Sequence, residues 1–286
     1  MKNILGIGKA GFNIVKELGK HKNYKPFVIS KHVTNKTKYR YPTPDLDSPE
    51  DFENLNFDKL GEWLSTIKDS CTVFLCGASL TTGLTLRVLE NFYKRSVKVE
   101  VVYISPEVEV LSKTKFLNQR VVMGVLQNYA RSGLLENIYL ASNEYLEQLS
   151  GPTNVYDYFD QINKVLTNTY YMLDVFKNTK PITSTFTKPG IANRIRTFGV
   201  GSIEGEDVLF FPFKDEVEVV YYFAINEKKL KTEENLFRKL TDKVKSKITK
   251  QRKVSFGIFP TNYEEDYVYV EYLSPIIQEI NIDKQQ

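Results

Sequence analysis

The first twenty residues, MKNILGIGKAGFNIVKELGK (1–20), join a short apolar strand to an amphipathic helix through a glycine-rich turn. Gly6, Gly8 and Gly11 have the spacing of turns that fold the backbone around phosphate at a helix N-terminus. Taken alone, the turn fits a nucleotide site or a tight structural turn. Asn13 follows the last glycine by two residues, and phosphate binding does not account for it.

Composition restricts the classes of protein to consider. The chain has 286 residues, 42% hydrophobic and 26% charged, which is ordinary for a soluble globular protein. A net charge of +4 is too small to require a nucleic-acid partner, and with two histidines a His-rich metal site is not expected. No apolar run approaches the roughly 18 residues of a membrane span. Cys71 and Cys76 lie on one strand and are expected as buried thiols, which indicates a cytoplasmic location.

Short apolar strands alternate with helical stretches through the first two-thirds of the chain. The strands are NILGIG, KPFVIS, CTVFLC, VKVEVVYIS and ENIYLAS. This βαβα order predicts an α/β fold with a Rossmann-like parallel sheet that has helices on both faces. The polar stretch 31–51, which contains three prolines, is predicted to be a loop.

A long helix is predicted to link two domains. Apolar side chains recur at spacings of three and four from Phe159 to Phe176, and further apolar residues widen the stripe, which is typical of a helix buried between layers. The predicted division is a nucleotide-binding domain (1–153), a central helix (154–178) and a smaller C-terminal α+β domain (179–286).

In the C-terminal domain, the strand EVEVVYYFAI is followed by KTEENLFRKLTDKVKSKITK, which is predicted to be one helix with Thr232 as its N-cap. Two more strands, KVSFGIFP and DYVYVEYLS, are joined by TNYEE. The basic run from Lys228 to Lys253 is interpreted as a solvated helix face in preference to a DNA-binding patch.

The order of elements and several motifs resemble those of the tubulin/FtsZ family. The resemblance is to a divergent, phage- or plasmid-type homologue, which would lie in the host cytoplasm if it is virus-encoded. The opening turn fits the family's G-x-G-x-x-G-x-N, in which the glycines lie against phosphates and the asparagine, here Asn13, touches guanine. DYFDQINKVL (157–166) resembles the start of the central helix, where Phe159 would stack on guanine and Asn163 would read its edge. Asn143 and Glu144 occupy the family's N-D-x-L-L turn, and residues 253–275 resemble its final hairpin.

The phosphate box departs from the family pattern. Where the family has a sequence close to G-G-G-T-G-T-G, this chain has CGASLTTGLTL (76–86). Gly77, Thr81, Thr82 and Gly83 remain as candidates to hold phosphate oxygens with the helix-entry amides. Alternatively, the Thr-Thr-Gly sequence simply caps a helix.

The second departure concerns hydrolysis. In the family, the loop after the central helix carries acids that orient water in the next subunit's site. Here no Asp or Glu occurs from Val175 to Ile203, so Asp174 is the only nearby acid and hydrolysis is expected to be weak or altered. The segment should instead attract an anion: a neighbour's nucleotide phosphate, an acidic subunit face, or nucleic acid. Its cations are Lys177, Lys180, Lys188, Arg194 and Arg196.

The resemblance implies a protein that binds GTP or GDP, with or without Mg²⁺, and that assembles with itself through longitudinal filament contacts. A DNA-associated, plasmid or phage cargo is a family-level inference. No membrane partner is expected, because the tail SPIIQEINIDKQQ (274–286) lacks the family's adaptor-docking peptide. One alternative is a degenerate homologue that acts as a binding or structural protein without nucleotide chemistry. Another is a Rossmann dehydrogenase. That class has an acid at the end of the second strand to bind the ribose, but here the strand ends in VISKH.

Overall fold

The structure is a computed structural model, and it describes residues 1–279. The chain divides into two compact units, one formed by Met1–Thr167 and the other by Asn168–Gln278. The division falls within a long helix, Tyr158–Lys177. Residues 280–286, which end the predicted C-terminal domain and its tail, lie outside the described residues.

The first unit is built on a parallel sheet, as the alternation of strands and helices predicts. Neighbouring strands pair in the order β3-β2-β1-β4-β5-β6, and all five pairings are parallel. Consecutive residues such as Ile4 and Leu5, or Val73 and Phe74, are fully buried, so both faces of the central strands are covered. The strands are β1 (Lys2–Ile7), β2 (Tyr24–Ser30), β3 (Arg40–Pro42), β4 (Ser70–Cys76), β5 (Lys98–Ser105) and β6 (Asn137–Ser142).

Helices lie between these strands in the chain, and the last two follow the sixth strand. They are α1 (Gly8–Leu18), α2 (Pro49–Glu53), α3 (Asp58–Leu64), α4 (Thr82–Lys94), α5 (Lys113–Ser132), α6 (Asn143–Ser150) and α7 (Tyr158–Lys177). A short 3-10 turn, Val108–Val110, precedes α5. In the described part of the chain, no helix is long and apolar enough to cross a membrane.

The prediction of a loop over residues 31–51 is wrong at two places. Residues 40–42 form β3, an edge strand beside β2, and an edge strand tolerates Pro42. Ser48 caps α2, because its hydroxyl accepts a hydrogen bond of 3.1 Å from the Asp51 N–H, and Pro49 occupies the first helical turn. The prolines hid both elements from the sequence pattern.

The second unit has a mixed sheet in the order β8-β12-β10-β11-β7, with β9 paired to β8. Its core lies between the sheet and α9 and includes Tyr221, Phe223, Leu240 and Val270. Its elements after α7 are β7 (Thr183–Ser184), β8 (Ile195–Gly201), β9 (Val208–Leu209), β10 (Glu218–Asn226), α8 (Glu227–Thr232), α9 (Leu236–Lys247), β11 (Lys253–Thr261) and β12 (Tyr267–Ser274).

The single helix predicted after β10 is two helices. The backbone is extended at Glu233, and Asn235, at φ 64°, occupies the N-cap position before α9. Thr232 is therefore not an N-cap: it ends α8, and its hydroxyl donates to the Lys228 carbonyl at 2.9 Å. The cap of α8 is Asn226, whose side chain accepts from the Lys228 N–H at 2.9 Å.

The predicted final hairpin is also wrong, because β11 and β12 are not neighbours. Strand β10 lies between them, pairing parallel with β11 and antiparallel with β12. The connection 262–266 crosses the end of β10, where the Asn226 N–H donates to Asp266 Oδ1 at 3.0 Å and the Asn226 amide donates to the Tyr263 carbonyl. A short connection between two strands does not by itself make them partners.

Candidate functional site

The carboxyl ends of β1 and β4 form the switch point of the parallel sheet. From β1 the chain builds β2 and β3 on one side, and it then returns to β4 on the other side. Ligands of open α/β sheets bind in the crevice at such a point. Both predicted phosphate turns are located here, because one follows β1, the other follows β4, and the two strands pair through Gly6 and Phe74.

Gly8 brings the two turns together. Its φ of +76° lies in the left-handed region that favours glycine. A Cβ added at Gly8 would lie 2.7 Å from Thr81 Oγ1 and 3.0 Å from Ser79 Oγ. The first turn therefore faces two hydroxyls of the second turn across a gap that only a glycine leaves open.

Gly6 and Gly11 have a structural reason that needs no ligand. A Cβ at Gly6 would approach the Gly11 carbonyl oxygen to 2.2 Å, and one at Gly11 would approach the Phe74 carbonyl oxygen to 2.4 Å. Backbone atoms cannot yield as side chains do. These two glycines therefore allow α1 to pack directly on β1 and β4.

The glycines of the second turn are likewise required by packing. A Cβ at Gly77 would lie 1.8 Å from the Tyr103 hydroxyl, and one at Gly83 would lie 1.9 Å from the Pro49 carbonyl oxygen. The hydroxyl of Thr82, which is 2% exposed, donates to the Ser79 carbonyl at 2.7 Å. Gly77, Thr82 and Gly83 thus shape the turn and offer little to a ligand.

Ser79 and Thr81 are the side chains of this turn that face Gly8. Their hydroxyl oxygens are 2.7 Å apart and share one hydrogen bond. Thr81 occupies the N-cap position of α4 but makes no capping hydrogen bond, so its side chain is not a helix cap. Sequence reasoning missed Ser79, although its place between Gly77 and Thr81 marked it as a further hydroxyl of the turn.

Helix α5 supports the second turn from behind. The Asn118 amide donates to Thr82 Oγ1 at 3.0 Å, and the fully buried Gln119 donates to Ser105 Oγ at 2.5 Å. Tyr103 in turn donates to the Gln119 carbonyl at 3.1 Å. This hydrogen-bond network fixes the second turn. Sequence reasoning missed it too, since the sequence shows only two adjacent amide residues, Asn118 and Gln119, within α5.

Three helices begin at the carboxyl ends of the parallel strands without a side-chain cap. No side chain caps the N-termini of α1, α4 and α6, which follow β1, β4 and β6. By contrast, Ser112 caps α5 by accepting from the Lys115 N–H at 3.4 Å. The first N–H groups of an uncapped helix are donors without helical partners and carry a partial positive charge. The carboxyl ends of the parallel strands can therefore receive an anion.

The predicted base-reading residues lie on three helices of the first unit. Phe159 is 61% exposed in the first turn of α7, and Asn163 follows one turn later on the same side. Asn13 is half-buried in α1, and Asn143 is the first residue of α6. Within residues 1–279, the side chains of these asparagines make no hydrogen bond, so each amide has donors and an acceptor to offer.

Tyr158 fixes the first turn of α7 beside α6. Its hydroxyl donates to Glu147 Oε2 at 3.0 Å, and its ring meets Phe159 edge to face with centroids 5.1 Å apart. Burial, together with the hydrogen bond to Glu147, raises the pKa of the Tyr158 phenol to about 12. The phenol therefore keeps its proton at neutral pH, and it holds the exposed Phe159 ring in place.

The basic segment 177–196 belongs to the second unit, and part of its charge is met by a carboxylate of the same chain. Lys177 forms an ion pair of 2.6 Å with Glu271, whose side chain is 3% exposed, and Tyr222 donates to the same carboxylate at 2.9 Å. Burial alone would raise the pKa of Glu271, but the charges of Lys177 and Arg196 and these hydrogen bonds hold it below its ordinary value. The anion that meets Lys177 and Arg196 is therefore in the same chain.

A second carboxylate engages the same segment. Glu218 accepts hydrogen bonds of 2.6 Å from the Gly190 N–H and from the Asn193 amide. Glu218 and Glu271 come from β10 and β12, far away in sequence, and sequence reasoning missed both. Glu271 left one signal: it shares the strand face of Tyr269 in an otherwise apolar alternation.

Asp174, the predicted catalytic acid, is half-buried in α7. Its carbonyl oxygen accepts a hydrogen bond of 2.7 Å from the Asn178 amide, as expected near a helix end. Its catalytic role remains a prediction. Across the described residues, no group of three or more His, Cys, Asp or Glu side chains is placed to hold a metal ion.

The sequence matches no family model and no curated protein. Solved structures do match. A four-stranded filament of TubZ-Bt has a TM-score of 0.74 and 14% identity, covering 95% of this chain and 85% of that one. CetZ2 from Haloferax volcanii, as a GTPγS-bound protofilament, gives 0.72 and 14%, covering 96% and 94%.

An empty FtsZ dimer from M. jannaschii gives a TM-score of 0.68 at 13% identity, covering 96% of this chain and 88% of that one. Such matches over nearly the whole length, at low identity, establish the architecture. They confirm the predicted fold class and the resemblance at the level of the fold. The chain has the tubulin/FtsZ fold.

Proposed function

We propose that the protein binds guanine nucleotide at the carboxyl ends of β1 and β4, and that it assembles with itself into filaments when nucleotide is bound. The observation that carries this proposal is the juxtaposition of Gly8 with Ser79 and Thr81 at the switch point. The matched structures support it, since CetZ2 was solved as a GTPγS-bound protofilament and TubZ-Bt as a filament.

We place the phosphates at the Gly8 turn. The N–H groups at the start of α1, which no side chain caps, and the hydroxyls of Ser79 and Thr81 are donors for phosphate oxygens. Residues 6–13 and 77–83 contain no Asp or Glu, so no carboxylate of either turn repels the nucleotide. We propose Mg²⁺ only as a counter-ion carried on the phosphates, because neither turn supplies a carboxylate for it.

The guanine base would lie on the exposed face of Phe159. Stacking of a base on an aromatic side chain contributes about 1–3 kcal/mol. The amides of Asn13 and Asn163 both donate and accept, which suits the mixed donors and acceptors of the guanine edge. We assign Asn143, at the start of α6, a supporting contact to the nucleotide.

Hydrolysis is expected to be slow. Positioning the attacking water usually requires a carboxylate or amide, and Glu218 and Glu271 are held by bonds within the second unit. Asp174 is the remaining candidate for that role. A phosphate-release assay above the assembly concentration should show slow turnover that falls further in Asp174→Asn. Brisk turnover that is unchanged in this variant would contradict both statements.

A second candidate function is that of a structural or binding protein without nucleotide chemistry. The observation that favours it is that packing explains Gly77, Thr82 and Gly83 without a ligand. Negative-stain microscopy with and without GTP, paired with a GTP titration, separates the two functions. Filaments only with GTP support the proposal, whereas filaments that form equally without nucleotide, together with no GTP binding, support the structural role. A DNA-associated or phage cargo remains a prediction.

A further inference from the structure

A strongly basic surface lies at the β3 edge of the sheet in the first unit. No Asp or Glu occurs between Lys20 and Asp45. We define the cations of this stretch, which includes β2 and β3, as the basic edge. They are Lys20, Lys22, Lys25, Lys31, Lys36, Lys38 and Arg40.

Most of this charge has no carboxylate partner. Lys20 pairs with Glu17 at 2.5 Å and Lys31 pairs with Asp45 at 2.6 Å. Within residues 1–279, the other five cations form no ion pair, and all of them except Lys25 are exposed. Such a concentration of uncompensated positive charge attracts a polyanion.

Aromatic rings alternate with these cations. Lys36 Nζ lies 5.5 Å from the centre of the Tyr41 ring. The ammonium groups of Lys25 and Lys38 lie 5.9 Å and 5.6 Å from the centre of the Tyr39 ring. Tyr39 is 40% exposed, so part of this ring is accessible among the lysines.

The surface is held in one conformation by Trp63. The Trp63 indole N–H donates to the Thr37 carbonyl at 2.8 Å. The centroid of the Trp63 ring lies 5.6 Å from that of Tyr41 and 5.8 Å from that of Phe27. The Thr37 N–H donates to the Arg40 carbonyl at 2.8 Å, which closes the turn that carries Lys38 and Tyr39. A surface that is already ordered loses little conformational freedom on binding.

We propose that the basic edge binds single-stranded nucleic acid, with Lys22, Lys36, Lys38 and Arg40 contacting phosphates and Tyr39 stacking on a base. A positively charged surface with an accessible aromatic ring is the usual combination for single strands, whose bases are free to stack. An anionic membrane fits less well, because buried apolar area strengthens binding to a membrane surface and Tyr39 is the only exposed large apolar side chain among residues 20–41.

The test is a titration of the full chain with fluorescently labelled oligothymidylate. Trp63 is the single tryptophan and lies under the surface, so its emission should change on binding. With about four phosphates contacted, raising salt from about 50 to about 200 mM should weaken the affinity roughly 50-fold.

Charge reversal with a matched control locates the site. Lys36→Glu/Lys38→Glu should weaken binding more than about tenfold, since two phosphate contacts become repulsive. Lys228→Glu/Lys250→Glu changes the net charge equally at exposed lysines of the second unit and should have less than about a twofold effect. Tyr39→Ala should weaken binding about tenfold and leave the salt dependence unchanged, because stacking involves no phosphate.

Several results would overturn the proposal. One is equal weakening by the two charge-reversed pairs. Others are binding to phosphatidylserine vesicles without binding to oligothymidylate, or loss of self-assembly in Lys36→Glu/Lys38→Glu with unchanged oligonucleotide binding, which would indicate a membrane or an acidic protein surface. If the charge-reversed pair misfolds, as judged from its circular dichroism, Tyr39→Ala and Lys36→Ala/Lys38→Ala decide the question.

Discussion

Two regions of the molecule have sequences that predict anion binding, but the structure gives them different surroundings. At the carboxyl ends of β1 and β4, helix N-termini are uncapped and two hydroxyls face a bare glycine. In the segment 177–196, by contrast, Lys177 is paired with Glu271, and Glu218 holds the turn at Gly190. Glycines or cations without nearby acids indicate an anion, but pairing over long distances in the chain decides whether the protein supplies that anion itself.

The largest expected effect is on the packing of the first turn. Gly11→Ala places a Cβ against the Phe74 carbonyl, and we expect the free energy of unfolding to fall by about 3 kcal/mol, at the upper end for overpacking. Gly124→Ala is the matched control. A Cβ at Gly124 meets nothing within 4 Å inside α5, so this variant should gain about 0.5–1 kcal/mol. Chemical denaturation measures both, and equal effects would contradict the packing argument.

The next effect concerns the buried ion pair of the second unit. Glu271→Gln removes a carboxylate that accepts from Lys177 and Tyr222, and should cost about 2–3 kcal/mol at pH 7. Because folding lowers the pKa of Glu271, its contribution is present above the unfolded value of about 4.3 and is lost as the pH falls through the folded value. The difference between wild type and variant should therefore shrink below about pH 4.

The control for this pair is Glu90→Gln, which removes an exposed carboxylate paired with Lys94 and should leave denaturation unchanged. If Glu271→Gln behaved in the same way, or if its effect did not depend on pH, Glu271 would not be the anion that neutralises Lys177. The difference drawn between the two regions would then fail.

A third effect tests the assignment of the base site. Asn163→Ala should lower GTP affinity by about 1–3 kcal/mol, because the guanine edge loses its hydrogen-bond partners. Asn168→Ala lies on the exposed side of the same helix and should bind GTP like wild type. A calorimetric titration compares the two, and an equal loss in both variants would mean that α7 does not read the base.

The smallest effect concerns the cations of the segment 177–196 that are still free. Lys180 and Lys188 are exposed and have no ion-pair partner within residues 1–279. If they meet the next subunit, Lys180→Glu/Lys188→Glu should weaken GTP-dependent pelleting modestly, since exposed pairs contribute less than about 1 kcal/mol each. The defect should diminish with added salt. Pelleting like wild type at every salt concentration would remove this segment from the filament contact.

Local patterns in the sequence account for much of the fold. Continuous apolar runs such as CTVFLC mark strands buried on both faces, and their alternation with helices implies the parallel sheet. The same patterns place Gly8 and Thr81 at neighbouring strand ends. Local sequence could not show that β10 separates β11 from β12, because strand order depends on which partner completes the core.

The candidate site was also only partly predictable from the sequence. Its glycines were visible, but the sequence could not distinguish Gly8, which faces the hydroxyls of Ser79 and Thr81, from Gly77, which only makes room for Tyr103. Ser79 acquires its position from the register of β1 and β4. The partner of Lys177 was unpredictable because Glu271 lies 94 residues away, on a strand whose neighbours were not known.

A calorimetric titration of the wild-type protein with GTP and, separately, with ATP shows whether the site reads guanine. The phosphate site alone would bind both nucleotides, whereas the amides of Asn13 and Asn163 would leave polar groups unpaired against adenine. We predict saturable binding of GTP at least about tenfold tighter than that of ATP, a difference of about 1.4 kcal/mol. Equal affinity for the two nucleotides, or no binding of either, would contradict it.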